Sequence, residues 1–542
     1  MNTISKKILM ITALAMSMGF WGCKKALEEK SFTFVSPNNF YQNETDAKAA
    51  INGVYNELYT YDLFIQPFWN LTLLDDDHVS GADWYLGNAG AGNPQSYWGV
   101  SRPWAGCYTM ISRANAVLEN VANISSMNAT VRDRILGEAY FLRGWAYFQL
   151  VQLYGGVPVR LKSLSQDKST NVPRSSVKEV YDVVISDFKN AESKLLPSTD
   201  ANVGELGRVT KAVASSFLAK TYLTMASGAL SAANIKVRGG NDNSYYTYSK
   251  TVVAGYESFD SPAYFKLARD KAQEVISSYG ASYALFTNWK DVFAKGNRNK
   301  QEQMWELQSL AGTDFQNDLH SYFSAGSLFG IGAVWMSNHH YDNYELSDTR
   351  VLDGVTHRYK ANWGTYYYYP SAQSSLYGGT APDGTVYNND GAADNKAYIN
   401  KYSDVSDPTL GKSDAFYPLL RYSEVLLIFA EAENEINPGS STAYTQLNAV
   451  RTRAKASSAP IGMGREDFRS FVLEERGREF ALENSIRHFD LLRWGIYLGV
   501  MNRITVQQNN INKQRTQRNL LLPIPQDEMN TNKAITANNP GW

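Results

Sequence analysis

The chain reads as a mostly α-helical protein in which tetratricopeptide-like helical pairs form a scaffold around a large irregular, loop-rich portion. Three observations predict this. Amphipathic runs with helical spacing dominate both ends of the 542 residues. Two of those runs alternate small and large side chains in the same way. The stretch from about Gly228 to Lys412 keeps no sustained period.

The elements follow in order. "NETDAKAAINGVYNELY" places Ala47, Ile51, Val54 and Leu58 on one helical stripe. "WAGCYTMISRANAVLENV" does the same with Tyr108, Ile111, Ala114 and Leu118. "VRDRILGEAYFLRGWAYFQLVQLYGG" predicts a longer helix, stopped by Gly155, Gly156 and Pro158. "SVKEVYDVVISDFKNAESKLLP", "RVTKAVASSFLAKTYLTMA" and "PAYFKLARDKAQEVISSYG" repeat the pattern. Ala139, Leu142 and Tyr147 in one run match Ala214, Leu218 and Tyr222 in another. Small residues on one face let a neighbouring helix come close while large ones fill the groove, as in tetratricopeptide pairs. The separation is longer than the usual repeat of about 34 residues, so these are degenerate repeats joined by loops. "SEVLLIFAEAENEINPG" and "TAYTQLNAVRTRA" form another pair about a Pro438-Gly439 turn.

The middle portion is rich in Gly, Asn, Ser, Asp and Tyr, as in "GGNDNSYYTYSK" and "GTYYYYPSAQSSLYGGTAPDGTVYNNDGAADN". That composition predicts loops or short strand pieces. Loops of such length in a compact protein are usually functional or disordered, and the tyrosines favour the ordered, functional case.

Net charge is −1, from 52 basic and 53 acidic residues. A basic stripe for nucleic acid is therefore not expected. At the start, Lys6 and Lys7 precede "ILMITALAMSMGFW", a run too short for a comfortable membrane span. It ends at Gly22-Cys23, which resembles the lipobox of a bacterial lipoprotein, with Phe20 and Trp21 as departures. The expectation is a signal peptide over 1–22, lipidation at Cys23 and a polar tether over 23–38; the alternative is an ordinary secretory signal. With Cys23 lipidated, Cys107 is left without a disulfide partner.

Several segments, taken together and in order, resemble the SusD/RagB-like family of Bacteroidetes outer-membrane lipoproteins. They are "NFYQNETDAKAAINGVYNELY", "YFLRGWAYFQLVQLYGGVPVR", "YELSDTR", "LLRYSEVLLIFAEAENEIN" with "LNAVRTRA", "LEERGREFALENSIRHFDLLRW" and "LLPIPQDEM". The departures are the lipobox and Gly144, where the family's helix more often has Ala. The resemblance implies a SusD-like helical region over 39–227, a variable ligand-binding portion over 228–412 and a C-terminal helical region over 413–542, integrated as one unit over 39–542. It also implies a surface protein, lipid-anchored in the outer membrane, that passes oligosaccharides to a TonB-dependent transporter, catalyses nothing and needs no cofactor.

The run "EERGREFALENSIRHFDLLRWG" gathers acids, bases and a histidine. On a helix, Glu474 and Glu475 reach Arg478, and Arg487, Asp490 and Arg493 step by three, so opposite charges sit side by side. Ion-paired groups keep their ordinary charged states, which points to structure rather than catalysis. "LLDDDHVSGADW" clusters Asp75, Asp76, Asp77, His78 and Asp83; a turn or capping role is expected ahead of a cation site. "NNDGAAD", with Asp390 and Asp394, fails the EF-hand pattern because Val386 takes the first position. His339-His340 lacks a third ligand. No Walker A, G-x-S-x-G or H-E-x-x-H motif occurs.

Aromatic residues are the positive signal, because sugar rings stack on Trp and Tyr while polar groups bond their hydroxyls. Trp84, Tyr85 and Trp98 lie in the glycine-rich "ADWYLGNAGAGNPQSYW" and Trp104 is expected in the core. Tyr322 and Trp335 precede "YELSDTR", the region where the family tends to place ligand contacts, and Trp363 and Tyr366 to Tyr369 follow it. The expected glycan-binding set is Trp84, Tyr85, Trp98, Tyr322 and Trp335, with Asp77 and Asn88 as hydroxyl partners. Two other classes stay open: a scaffold binding peptide or protein in tetratricopeptide-like grooves, and a surface glycosidase using two carboxylates.

Overall fold

A computed structural model describes residues 40–325, 332–370, 380, 384, 391–393, 396–505 and 511–542. The signal and tether segments, Cys23, Asp390 and Asp394 lie outside the described residues.

Ten principal helices carry the fold: α1 (Glu44–Tyr55), α2 (Arg102–Asn120), α3 (Ala129–Tyr154), α4 (Val177–Lys194), α5 (Lys211–Ala229), α6 (Ser261–Tyr279), α7 (Tyr422–Ile436), α8 (Ser441–Arg453), α9 (Arg465–Glu479) and α10 (Ile486–Arg493). Their boundaries follow local chemistry. Asn43 caps α1 by accepting from the Asp46 amide, and Ser176 with Glu179 forms a capping box on α4. Helix α3 ends where Gly155 turns to φ 71°, a conformation that costs glycine little.

Each helix from α2 to α6 packs on its successor, and α6 then packs on α7, across the long intervening segment. Helix α7 in turn contacts α8 and α9. One buried apolar cluster accordingly runs from Ala47 to Ile535. Each fully buried Val, Leu, Ile, Phe or Met side chain in it is worth roughly 1.5–3 kcal/mol. Ala139, Leu142, Tyr147, Ala214, Leu218 and Tyr222 all face this core, as does Trp104.

Strands are few and short. β1 (Val79–Gly81) pairs antiparallel with β5 (Val334–Met336), with Ser80 opposite Trp335. β2 (Ala233–Gly239) and β3 (Ser244–Lys250) form a hairpin that packs on α9. β4 (Gln303–Leu307) pairs with β9 (Tyr417–Arg421), which runs directly into α7. β6 (Arg358–Lys360), β7 (Tyr366–Tyr368) and β8 (Gly391–Ala393) make a small mixed sheet. The tyrosine-rich "SYYTYSK" stretch is thus one strand of a hairpin, and "TYYYY" supplies the central strand of the three-stranded sheet.

The charged run of α9 and α10 is buried and bridges elements. Glu475 meets Arg350 at 2.6 Å, Arg451 at 2.5 Å and its helix neighbour Arg478 at 2.9 Å. Arg421, fully buried at the end of β9, contacts Glu302, Glu479 and Glu483. Asp490 accepts from Arg476 and Arg493, and Arg493 also pairs with Glu431 of α7. Burial alone would lift the Glu475, Glu479 and Glu483 carboxyls, but the surrounding guanidinium charges hold all three below their ordinary range. Glu474 departs from its expected partner: its nearest ion-pair contact is Arg487, at 3.8 Å.

Candidate functional site

Asp75, Asp76 and Asp77 are committed to the fold. Asp76 accepts from the His78 and Val79 amides, a turn-capping arrangement. Asp75 accepts from Arg515 and Tyr497. Asp77 takes a bidentate bond from Arg487, at 2.8 and 2.7 Å, and is buried. Its expected role as a hydroxyl partner is therefore corrected: both its oxygens already serve a guanidinium. His340 stacks on His78 with centroids 3.5 Å apart, and both are buried; burial first lowers both imidazoles well below their ordinary range, helped by Arg487 at His78 and by the two rings' proximity at His340. No group of three or more His, Cys, Asp or Glu fit to hold a metal occurs among the described residues.

Trp335 is also corrected. Strand pairing with β1 turns it inward, and it is 3 % exposed, packed against Tyr398 with Lys396 over its ring. Tyr368 and Tyr369 are buried, whereas Trp363 is exposed on the β6–β7 turn, edge-on to Tyr367.

The remaining expected rings converge. The segment from Tyr61 to Thr72 ends in the helix Pro67–Thr72, and its polar side chains reach up to the glycine-rich loop. Tyr85 donates to Asn70 Oδ1 at 2.7 Å, while Asn70 Nδ2 donates to the Tyr97 hydroxyl at 2.7 Å. Gln66 donates to the Tyr85 hydroxyl at 3.2 Å. Tyr322, on the short helix Leu319–Phe323, stacks on Tyr85 with centroids 4.3 Å apart. Trp84 lies beside Tyr85, and Trp98 beside Tyr97. Trp98 also meets Tyr61, with centroids 6.3 Å apart.

The result is an aromatic band of two ring groups, Trp84–Tyr85–Tyr322 and Tyr97–Trp98–Tyr61, linked through Asn70, with two exposed indoles, Trp84 at 63 % and Trp98 at 55 %, and Tyr61 at 41 %. Asn88 is exposed in the same loop. Polar groups fringe the rings. Arg102 lies over Trp98 and pairs with Asp62 at 2.9 Å. Lys412 sits over Tyr61, bonds its hydroxyl and pairs with Asp318 at 3.3 Å. Burial raises the Tyr85 phenol well above its ordinary value, and burial together with the Asp318 charge raises Tyr322. Both stay neutral donors at physiological pH. Flat apolar faces edged by fixed donors and acceptors suit a ligand with C–H faces and peripheral hydroxyls.

Tyr61, Gln66, Asn70, Tyr97, Arg102, Asp318 and Lys412 were not among the expected residues. Tyr97 stood beside Trp98 in "SYW" and could have been read with it. Asp318 and Lys412 carry no local signal, because only folding brings them to Tyr61. Among the described residues, the band draws most rings from the N-terminal region and Tyr322 from the irregular middle.

Two family models match the chain: one described as the SusD family over residues 175–542, and one described as starch-binding, associating with outer membrane, over residues 34–223. A SusD-like protein of Formosa agariphila is 27% identical over 98% of this chain and 99% of its own length. A SusD-like protein of Bacteroides ovatus is 27% identical over 74% of this chain and 66% of its own. Among solved structures, a SusD homolog from Bacteroides thetaiotaomicron superposes with TM-score 0.71 at 21% identity, over 93% of this chain and 98% of that one. Surface glycan-binding protein A from Bacteroides uniformis gives 0.66 at 20% identity, over 91% and 99%. At these identities the structures establish the shared fold.

Proposed function

This chain belongs to the SusD family, and we propose on that basis that it captures oligosaccharide at the cell surface for import through a partner TonB-dependent outer-membrane transporter. The aromatic band is the observation that carries the proposal. Trp98, Tyr61 and Trp84 offer faces for sugar rings, and Arg102, Lys412 and Asn88 supply polar groups around them for hydroxyls, with buried Asp318 holding Lys412 in place. Trp335 and Asp77 are left out of this site. The reading is of binding without catalysis. Asp62 and Asp318, the carboxylates of the band, are each paired with a cation rather than set across an open cleft from one another. Lipidation at Cys23 holds the protein to the membrane in this proposal. Among the described residues, no helix is long and apolar enough to cross a membrane.

Binding isotherms on a panel of neutral polysaccharides test the proposal, with Trp98→Ala and Tyr61→Ala beside the unaltered protein. At least one glycan is expected to bind and to lose about tenfold in affinity in each variant, equivalent to about 1.4 kcal/mol. Unchanged affinity in both variants would remove the band from the mechanism, and reducing ends released from a bound glycan would replace binding with hydrolysis.

A further inference from the structure

The two ion pairs of the aromatic band are not turned evenly to solvent. Arg102 and Asp62 meet at 2.9 Å, with the arginine side chain 48 % exposed and the aspartate 25 %. Lys412 and Asp318 meet at 3.3 Å, with the lysine side chain 31 % exposed and the aspartate 10 %. In each pair the acid lies beneath and the cation faces outward. Both cations also lie over rings offered to a ligand. Arg102 is 5.7 Å from the Trp98 centroid, and Lys412 is 4.6 Å from that of Tyr61. Cationic heads and open ring faces therefore share one end of the band.

Donor capacity remains at that end. A guanidinium holds its N–H donors in a rigid fork. Arg102 spends Nη1 on Asp62, and its Nε and Nη2 donate to none of the described residues. Lys412 is anchored in place, since it donates to the Tyr61 hydroxyl and faces the buried Asp318. Burial pulls the Lys412 ammonium down, and the Tyr61 hydroxyl and the Asp318 charge together lift it above its ordinary range, so it stays charged. The exposed acid of the glycine-rich loop, Asp83, belongs to the other ring group, where it accepts from the Trp84 amide at 2.7 Å. Charge is thus graded along the band, cationic at Trp98 and Tyr61 and acidic beside Trp84.

Neutral groups such as Asn88 meet sugar hydroxyls as well as cations do. Outward-facing guanidinium and ammonium groups match an oxyanion better, because a hydrogen bond between ionised partners is roughly twice as strong as a neutral one. We infer that the Trp98–Tyr61 end of the band is a subsite for an acidic sugar residue, whose ring stacks on the aromatic faces and whose carboxylate or sulfate is held by Arg102 and Lys412. The inference rests on the reading that the cargo is carbohydrate. Neutral glycans engage the rings, and an oxyanion adds to that grip.

Matched pairs of polysaccharides test it on the full-length protein: polygalacturonate against its methyl ester, glucuronoxylan against its carboxyl-reduced form, and carrageenan against its desulfated form. At least one acidic member is expected to bind about fivefold or more tighter than its neutral partner at about 0.05 M salt, and the ratio should shrink at about 0.5 M as the charges are screened. Arg102→Gln or Lys412→Gln should bring the ratio toward about one, and Asp62→Asn, which frees the guanidinium, should raise it. A preference confined to the first two pairs assigns the anion as a carboxylate, and one confined to the third assigns it as a sulfate ester. A ratio near one in every pair, or one that both cation variants leave unchanged, would overturn the subsite. If neutral members still bind and Trp98→Ala removes that binding, the capture proposal stands without it. Binding of neither kind of member, or binding indifferent to both Trp98 and Tyr61, would sink both.

Discussion

Tyr85 and Tyr322 lie face to face, their planes 22° from parallel, although one belongs to the N-terminal loop and the other to the irregular middle of the chain. The stack joins the two segments into one surface. The Tyr85 hydroxyl is the hub beneath it, donating to Asn70 and accepting from Gln66. Tyr85→Phe keeps the ring and removes the hub. It is expected to cost about 1 kcal/mol in urea denaturation, the usual worth of a partly buried hydrogen bond. Affinity for glycan should fall by less than about tenfold, because Asn70 still holds Tyr97.

Trp98 and Trp104 are six residues apart in the sequence and opposite in role. Trp98 is exposed, whereas Trp104 is buried edge-on to Tyr154. Trp104→Ala should destabilise by about 3–5 kcal/mol through the cavity it leaves. Trp98→Ala should change stability by less than about 0.5 kcal/mol while reducing binding. Thermal melts and binding isotherms on the same two variants separate packing from function; equal melting losses would contradict the division.

Much of the scaffold was legible because helical periodicity is a local property. Ala47, Ile51 and Val54 announced a buried face, and they occupy one. Glu475–Arg478 and Asp490–Arg493 were also readable, since three residues on a helix are neighbours. Their stronger partners were not. Arg350 and Arg421 reach α9 through tertiary folding, which spacing does not encode. The site divided in the same way. Exposed rings in a glycine-rich loop were visible from composition, but Trp335 looked similar in sequence and was turned inward by its pairing with β1. Asp77 looked available until Arg487, far along the chain, claimed it.

Arg421 shows what the buried network contributes. Its guanidinium stands among Glu302, Glu479 and Glu483. Arg421→Met leaves these carboxylates buried with fewer counter-charges, and breaking a buried pair from one side costs about 3–5 kcal/mol. Chemical denaturation at pH 7 should register a loss of that order. Part of it should return on moderate acidification, because protonating a carboxylate relieves the unpaired charge; a loss that acidification leaves unchanged would point to lost packing instead.

Glu306 predicts a pH dependence of the same sign in the unaltered protein. Burial raises its carboxyl to about 8, against the Asn299 amide and the Gln308 side chain. The folded protein keeps this proton at pH values where the unfolded chain has released it. Stability from this group is therefore greatest near and below the ordinary carboxylate range and is lost as pH rises toward about 8. The slope reaches at most about 1.4 kcal/mol per pH unit for one proton. Asp76, lifted to about 7 by burial and by Asp77, acts in the same direction. Glu306→Gln should flatten the stability curve between about pH 5 and 8 without abolishing the residual slope from Asp76. An identical curve in the variant would mean that Glu306 ionises normally in the folded protein.

Gly144 on α3 tests how tightly the scaffold is drawn together. Alanine favours a helix interior over glycine by about 1 kcal/mol, so propensity alone makes Gly144→Ala stabilising. The packing opposes it. A β-carbon at this position would lie 3.0 Å from Asp187 Cβ and 3.1 Å from Phe188 Cδ1, both on α4. Asp187 has little freedom to retreat, because Arg143 holds both its oxygens at 2.7 and 2.8 Å. Phe188 is buried and wedged against Phe141. Overpacking of this kind costs about 1–3 kcal/mol, which outweighs the gain in propensity. Gly144→Ala should therefore lower the melting temperature, and Gly144→Val should lower it further. A melting temperature raised by the alanine would show that α3 and α4 can part by a few tenths of an ångström at no cost.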